Sequence, residues 1–244
     1  MASLTIAQVS PFEWEADHEV NRQIERTSHE LVRRGHRVAI VAPSGSNAGV
    51  RDTRKRLRDG DVWRSGGPEV LAVSETLSGP SRRAALAVDV GRAVEALFDA
   101  VQFDVVHVHE PWAPSVASAA LRNSPYLNVG TFHAPTERLV ATQVARRLVQ
   151  LVFGRIDARI ASFDATARLL GRFFGGEYRT ILPVPAETAP RSPGERVRIV
   201  FADREERAAL RLFLRALRRL DPALDWEATV ITARGPSSST PLRA

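Results

Sequence analysis

Histidine and glutamate side chains stand where two apolar segments of this sequence end. His109 closes the segment 104–109 and Glu110 follows it, while His133 directly follows the segment 127–132. Near neutral pH an imidazole can donate a hydrogen bond to a substrate hydroxyl or accept one from it. Ligands of open α/β sheets bind beyond the carboxyl ends of parallel strands. If both segments are such strands, these side chains are candidates for a binding site.

A structural role is the alternative for the histidines. His107 lies inside the first segment, and we interpret it as a buried polar residue satisfied by the backbone. The same alternative stays open for His109. For His133 we favour a side chain that faces a crevice.

We expect the two segments to form neighbouring strands. The expected site is then a pocket lined by His133, Glu110 and the loop of residues 11–19. This pocket would open towards residues 196–232.

Several kinds of chemistry are excluded by composition. The 244 residues include no Cys, which excludes disulfides, zinc–thiolate sites, iron–sulfur clusters and thiol catalysis. No His/Asp cluster suggests a metal ion, so we predict neither a metal nor a cofactor. The net charge is +6, but Lys55 is the only lysine and the arginines are spread along the chain. We therefore predict no nucleic-acid partner, and we interpret the dense run of residues 51–58 as a solvated loop, with a binding patch as the alternative.

The apolar segments bear on localisation. None approaches the ~20 residues of a membrane span, and the first ten residues, MASLTIAQVS, lack the pattern of a signal peptide. We predict a cytoplasmic protein. The predicted helix over 140–152 carries an apolar stripe beside Arg146 and Arg147. We expect this stripe to face the core, with peripheral contact to anionic lipid at the inner membrane face as the alternative.

Strand and helix patterns alternate along the chain. This order predicts an α/β fold, a doubly wound Rossmann-like parallel sheet over 1–182. The four prolines between 183 and 193 predict a linker over 183–196, followed by a partial second βαβ unit over 197–234 and a disordered tail over 235–244. Residues 44–69 predict an irregular excursion. The predicted strands are 4–9, 37–42, 70–73, 104–109, 127–132, 158–161, 178–182, 197–201 and 228–231.

Three segments together resemble the N-terminal domain of the family 4 retaining glycosyltransferases, which have the GT-B fold. The first runs from IAQVSP at residue 6 to ELVRRGHRVAIVAP ending at residue 43. The second combines FDVVHVHEP at 103–111 and APS at 113–115 with TFHA at 131–134, and the third joins RIDARIA at 155–161 to GEYRTI at 176–181. Within the family the chain is most similar to the phosphatidylinositol mannosyltransferase-like branch, over residues 3–220.

The resemblance implies a cleft between two Rossmann-like domains, with the acceptor on the N-terminal side and the donor on the C-terminal side. It implies that His133 is the catalytic histidine that positions the reacting sugar, that His109 and Glu110 bind substrate, and that Arg204 holds the donor phosphates. The implied reaction transfers a hexosyl unit from a nucleotide sugar to a lipid or sugar hydroxyl with retention. The nucleotide sugar is then a substrate, and no metal is expected.

The sequence departs from the family on the donor side. Asp17, His18 and Glu19 stand where the family carries a Gly-Gly turn whose backbone N–H groups approach the donor phosphates. His18 and Glu19 would then line the substrate site, and the carboxylates would repel a diphosphate. Ala208 falls where the family has a lysine, and the chain ends before the paired-glutamate motif. These departures predict weak donor binding. They favour two further hypotheses: a partner chain that supplies the donor domain, or a non-catalytic binding protein derived from the GT-B fold.

Overall fold

The computed structural model describes residues 2–75, 83–111, 115–133, 153–183, 196–203, 207–221 and 223–232. The chain divides into two compact units, Met1–Pro185 and Ala186–Ala244. The interior of the predicted linker, the predicted tail and the predicted helix 136–153, except for Phe153, lie outside the described residues.

The larger unit is built on a seven-stranded sheet in which every strand pair is parallel. The strand order is β3-β2-β1-β4-β5-β6-β7. The predicted α/β fold is therefore confirmed, and β4 and β5 are neighbours as expected. The strands are β1 (Thr5–Val9), β2 (Arg37–Ser44), β3 (Glu69–Glu75), β4 (Val105–His109), β5 (Leu127–Phe132), β6 (Ala158–Ala161) and β7 (Arg179–Thr180).

Helices pack on both faces of this sheet. Ile40 of β2 is buried in a cluster with Val20 and Ile24, whereas its neighbours Ala39 and Val41 belong to the main core. Successive side chains of a strand point to opposite faces, so the two clusters lie on opposite sides of the sheet. Among its described residues, this unit has the helices α1 (Glu19–Arg33), α2 (Asn47–Asp59), α3 (Arg83–Ala100), α4 (Val116–Asn123) and α5 (Asp164–Phe174).

The prediction of an irregular excursion over 44–69 is wrong, because Asn47–Asp59 form α2. Val50, Thr53 and Arg56 recur at a spacing of three and are buried. The helix ends at Gly60, whose φ of 69° lies in the left-handed region that favours glycine. Only one of the three buried residues is aliphatic, so the charged run hides the helical period from a count of apolar residues.

The interpretation of residues 51–58 as a solvated loop is wrong as well. Arg56 is 6% exposed and forms an ion pair with Glu69, which is 5% exposed. The other cations of the run are exposed on the opposite side of α2. These are Arg51, Arg54, Lys55 and Arg58.

The smaller unit contains the predicted βαβ arrangement: β8 (Val197–Asp203), α6 (Arg207–Leu217) and β9 (Trp226–Thr232), with the two strands parallel. Phe201 of β8 stacks on Phe213 of α6, with the ring centroids 4.7 Å apart. Val200 and Ile231 are 62% and 56% exposed. A two-stranded sheet with one packed helix leaves such apolar side chains uncovered, which parallel sheets usually avoid.

Candidate functional site

The order of the strands places a crevice in the larger unit. The chain leaves β1 towards β2 on one side, and it leaves β4 towards β5 on the other. In open α/β sheets ligands bind at the carboxyl edge where the order reverses in this way. His109 ends β4, Glu110 follows it, and His133 follows β5. The three candidates predicted from the sequence therefore lie at this edge.

A chain of hydrogen bonds joins four side chains across this edge. Gln8 Oε1 of β1 lies 2.9 Å from His109 Nε2, and His109 Nδ1 lies 2.8 Å from His133 Nε2. His133 Nδ1 lies 3.0 Å from Ser162 Oγ, directly after β6. Both ring nitrogens of His133 are thus engaged within the protein. A substrate group can bind to this imidazole only by replacing one of its two partners.

Glu110 holds the backbone of His133. Glu110 adopts a left-handed conformation with φ of 48°, which is uncommon for a residue with a side chain. Its backbone N–H donates to Thr131 O at 2.9 Å, and its Oε1 accepts from the His133 backbone N–H at 2.8 Å. The structure therefore brings Glu110 and His133 into direct contact.

His107 belongs to the same polar group. Its Nε2 lies 2.6 Å from Thr131 Oγ1, and its ring centroid lies 4.3 Å from that of His109. The expected backbone partner is therefore not the one found: in β4 and β5 the side chains of adjacent strands satisfy one another, because a regular ladder already uses the backbone groups.

Burial keeps these imidazoles neutral at pH 7. His109 and His133 are only 2% and 8% exposed. Burial, with a smaller effect of His133, lowers the pKa of His107 to about 4. Burial, followed by the neighbouring histidines, holds the pKa of His109 well below its ordinary value. The pKa of His133 is lowered to about 4, first by burial and then by His18, while Glu19 acts in the opposite direction.

Side chains fill the turn that leads into α1. His18 is the N-cap of α1: its Nδ1 accepts from the Val20 N–H at 3.2 Å. Phe12 stacks on the His18 ring with the centroids 3.6 Å apart. Asp17 forms an ion pair with Arg22. Side chains therefore occupy the turn where the family resemblance would require glycines.

Further contacts fasten this first βα loop over the ends of β1 and β2. Asn21 Oδ1 accepts from Ser10 Oγ at 2.6 Å, and Asn21 Nδ2 donates to Glu13 O at 2.7 Å. The Trp14 N–H donates to Pro43 O at 2.9 Å. The loop is thus an ordered wall beside the histidine network.

The remaining predictions concern Arg204, a metal ion, a membrane span and the opening of the pocket. Arg204, the candidate for the donor phosphates, lies outside the described residues. Within the described part of the chain, no group of three or more His, Asp or Glu residues could hold a metal ion, and no helix is long and apolar enough to cross a bilayer. The opening of a pocket towards residues 196–232 stays a prediction.

Comparison with known proteins identifies the family of this chain. The sequence profile of Glycosyltransferase Family 4 matches residues 20–185. This range includes β2 to β7 and the candidate residues His109, Glu110 and His133. The chain belongs to Glycosyltransferase Family 4. Membership favours the glycosyltransferase-like interpretation over the non-catalytic alternative.

The curated relatives belong to the predicted branch. A phosphatidyl-myo-inositol mannosyltransferase from Propionibacterium freudenreichii subsp. shermanii is 28% identical over 172 residues, which is 70% of this chain and 44% of the relative. The protein of the same name from Mycobacterium tuberculosis is 27% identical over 165 residues, 68% of this chain and 40% of the relative. This family member therefore spans less than half the length of these relatives.

Solved structures support the fold. A glycosyltransferase from Rickettsia africae ESF-5 matches with a TM-score of 0.60 at 15% identity, over 97% of this chain and 62% of that one. A UDP-N-acetylglucosamine 2-epimerase matches with a TM-score of 0.53 at 10% identity, over 93% of this chain and 63% of that one. At such identities the likeness concerns the fold alone, and folds of this kind carry more than one chemistry.

Sequence reasoning missed Gln8 and Ser162, the two ends of the hydrogen-bonded chain. Gln8 is a polar residue between apolar neighbours in a fully buried strand, and such residues require a specific partner. Ser162 directly follows β6, in the position that His133 occupies after β5. Both signals were present in the sequence, but their partners lie 101 and 29 residues away along the chain.

Proposed function

We propose that this chain carries the acceptor-side domain of a retaining hexosyltransferase. The donor is a nucleotide sugar and the acceptor is a lipid or sugar hydroxyl. One observation carries this proposal: in a Family 4 chain, His133 lies at the carboxyl edge where the strand order reverses. It is hydrogen-bonded to His109 of β4, which in turn contacts β1, and to Ser162 directly after β6. There the imidazole can orient a sugar hydroxyl next to the acceptor.

The relatives narrow the substrate class. Both are named for transfer of mannose to phosphatidyl-myo-inositol. We therefore infer a mannosyl unit as the transferred group and an inositol phospholipid as the acceptor. The reaction needs no metal ion in this proposal, because the nucleotide sugar is a substrate whose phosphates are held by cationic side chains such as Arg204.

Donor binding by this chain is weak in the proposal. Asp17 and Glu19 place carboxylates where a diphosphate would approach, and the stacked rings of Phe12 and His18 fill space at the same turn. The loop is ordered by its own contacts, so it does not fold away at low cost. A partner chain that supplies a complete donor domain is consistent with this weakness.

A membrane surface is the second partner that we propose. The cations Arg51, Arg54, Lys55 and Arg58 recur at a spacing of three and four on α2 and are exposed. This spacing aligns them on one face of the helix. Such a row attracts anionic lipid headgroups, which would bring the protein to an inositol phospholipid acceptor.

Calorimetry with a panel of UDP- and GDP-sugars, including mannosyl donors, tests the proposal. We expect saturable binding that is weaker than micromolar and that UDP or GDP competes away. His133→Asn should weaken it further, whereas His29→Asn, an exposed site on α1, should leave it unchanged. Absence of binding at millimolar concentrations of every donor would refute a transferase role for this chain without a partner and support the non-catalytic alternative.

A further inference from the structure

The hydrogen-bonded chain at the carboxyl edge has a direction. Gln8 Oε1 is an amide oxygen and can only accept, so His109 Nε2 carries the proton of that bond. A neutral imidazole has one N–H, which leaves His109 Nδ1 as an acceptor. His133 Nε2 must then donate to it, and His133 Nδ1 must accept from the Ser162 hydroxyl. All three bonds are satisfied by a single set of proton positions.

We propose that Gln8 is a positioning residue that acts through His109 to hold His133 as the Nε2–H tautomer, so that His133 presents Nδ1 as a hydrogen-bond acceptor. Gln8 touches no substrate in this account. Its effect reaches His133 through one intervening ring, over two bonds of 2.9 and 2.8 Å.

Burial makes this control effective. Gln8 is 1% exposed and His109 is 2% exposed, so water does not replace a missing partner at low cost. Leaving a buried donor or acceptor unsatisfied carries the full desolvation penalty of that group. In the reversed set of protons His109 Nε2 would carry no proton, and its lone pair would face the lone pair of Gln8 Oε1. The amide oxygen of Gln8 therefore determines the tautomer of His133, which it reaches through His109.

The three bonds differ in how readily they exchange. The bonds of Gln8 and His109 join groups fixed on β1 and β4, which pair in register at Gln8 and His107. The bond from Ser162 depends on the rotation of a single hydroxyl. A substrate hydroxyl can replace it without a change of tautomer, because it also donates to Nδ1.

This polarity selects the substrate group, a conclusion that rests on the proposed function. An Nδ1 without a proton accepts from a hydroxyl but repels a phosphate or carboxylate oxygen, which has no proton to donate. His133 would thus bind a hydroxyl of the sugar or the acceptor. The donor phosphates would need other partners.

Nuclear magnetic resonance of the ¹⁵N-labelled full chain at pH 7 tests the tautomer directly. We expect His133 to show a protonated Nε2 and an unprotonated Nδ1, with its resonances assigned by their loss in His133→Gln. A protonated Nδ1, or an imidazolium at this pH, would overturn the proposal.

Two variants test the role of Gln8. Gln8→Leu removes the acceptor, and we expect His133 resonances that average the two tautomers. Ser162→Ala removes the bond at the other end and should leave Nε2 protonated. Gln102→Leu, the same change at an exposed site, is the control. An unchanged tautomer in folded Gln8→Leu, or a changed one in Ser162→Ala, contradicts the assigned role. If Gln8→Leu does not fold, the tautomer of His133 in the parent chain and in Ser162→Ala still tests the proposal, because both must show a protonated Nε2.

The tautomer of His133 is measured without any reaction, so the role of Gln8 and the proposed function can fail separately. If His133 is the Nε2–H tautomer and no nucleotide sugar binds, the proposed function fails while the role of Gln8 stands. If donors bind and the tautomer is reversed, the role of Gln8 fails alone.

Discussion

Replacing Arg56 by methionine should destabilise the larger unit by ~3 kcal/mol. Arg56 projects from α2 into the protein and pairs with Glu69 at the start of β3, with 7% and 6% of the two side chains exposed. It also donates to the backbone oxygens of Val62 and Val70, the latter at 3.2 Å. One guanidinium therefore links α2 to β3 and to the segment between them.

The magnitude follows from what Glu69 retains. Removing one partner of a buried ion pair costs ~3–5 kcal/mol, because the other charge stays buried. Glu69 keeps two backbone donors, the Arg64 N–H at 2.7 Å and the Ser65 N–H, which places Arg56→Met at the lower end. Methionine retains most of the aliphatic stem, so little packing is lost.

Urea unfolding of the full chain, followed by circular dichroism, measures this effect. Arg54→Met, on the exposed side of the same helix, is the control and should change the free energy of unfolding by at most about 0.5 kcal/mol. The double variant with Glu69→Gln should cost less than the sum of the single variants by ~1–2 kcal/mol, because the two groups are coupled.

The reasoning would be refuted if Arg56→Met changed the free energy of unfolding as little as Arg54→Met does. It would mean that Arg56 reaches solvent and that residues 47–59 do not pack on β3. Additive costs in the double variant would leave α2 in place but contradict the pairing of Arg56 with Glu69.

Two further predictions concern charge. The pKa values of His107 and His133 are lowered by burial to about 4 in the folded chain, whereas an unfolded histidine titrates near ~6.5. Because the unfolded state binds more protons between these two pH values, the melting temperature should fall as the pH drops from ~6.5 towards 4. His107→Gln should flatten this dependence, and a melting temperature of the parent chain that does not change with pH would contradict the burial of these histidines. Sedimentation with vesicles should require acidic lipid, weaken with salt, and lose about 1 kcal/mol for each cation removed in Arg54→Gln and Lys55→Gln. Equal binding to neutral vesicles would exclude the lipid role of α2.

The candidate site of this Family 4 chain differs in two respects from the site that the resemblance implies. His133 is present in the place that the family resemblance implies, yet both of its nitrogens are used inside the protein. The loop that should receive phosphates is closed by the stacked pair Phe12 and His18. The turn therefore carries side chains where the resemblance implies glycines, in agreement with the weak donor binding that we propose.

The sequence by itself determined the class of fold and most of the elements. Strands 127–132 and 158–161 and the helix 164–174 agree with the structure residue by residue, because apolar runs and helical periods are local signals. The motif around His107 to Glu110 and His133 was equally local, and it placed these residues at strand ends. Where the local signal was misleading, as in the charged run of α2, the prediction failed.

Only the tertiary structure decided the partners. Whether Arg56 is solvated or paired depends on Glu69, which lies 13 residues later on another strand. Whether His133 is free or engaged depends on His109 and Ser162, and its tautomer depends on Gln8, which no sequence pattern connects to it. A hydrogen bond needs two atoms within about 3 Å, and for residues far apart along the chain only the order of the strands brings them to that distance.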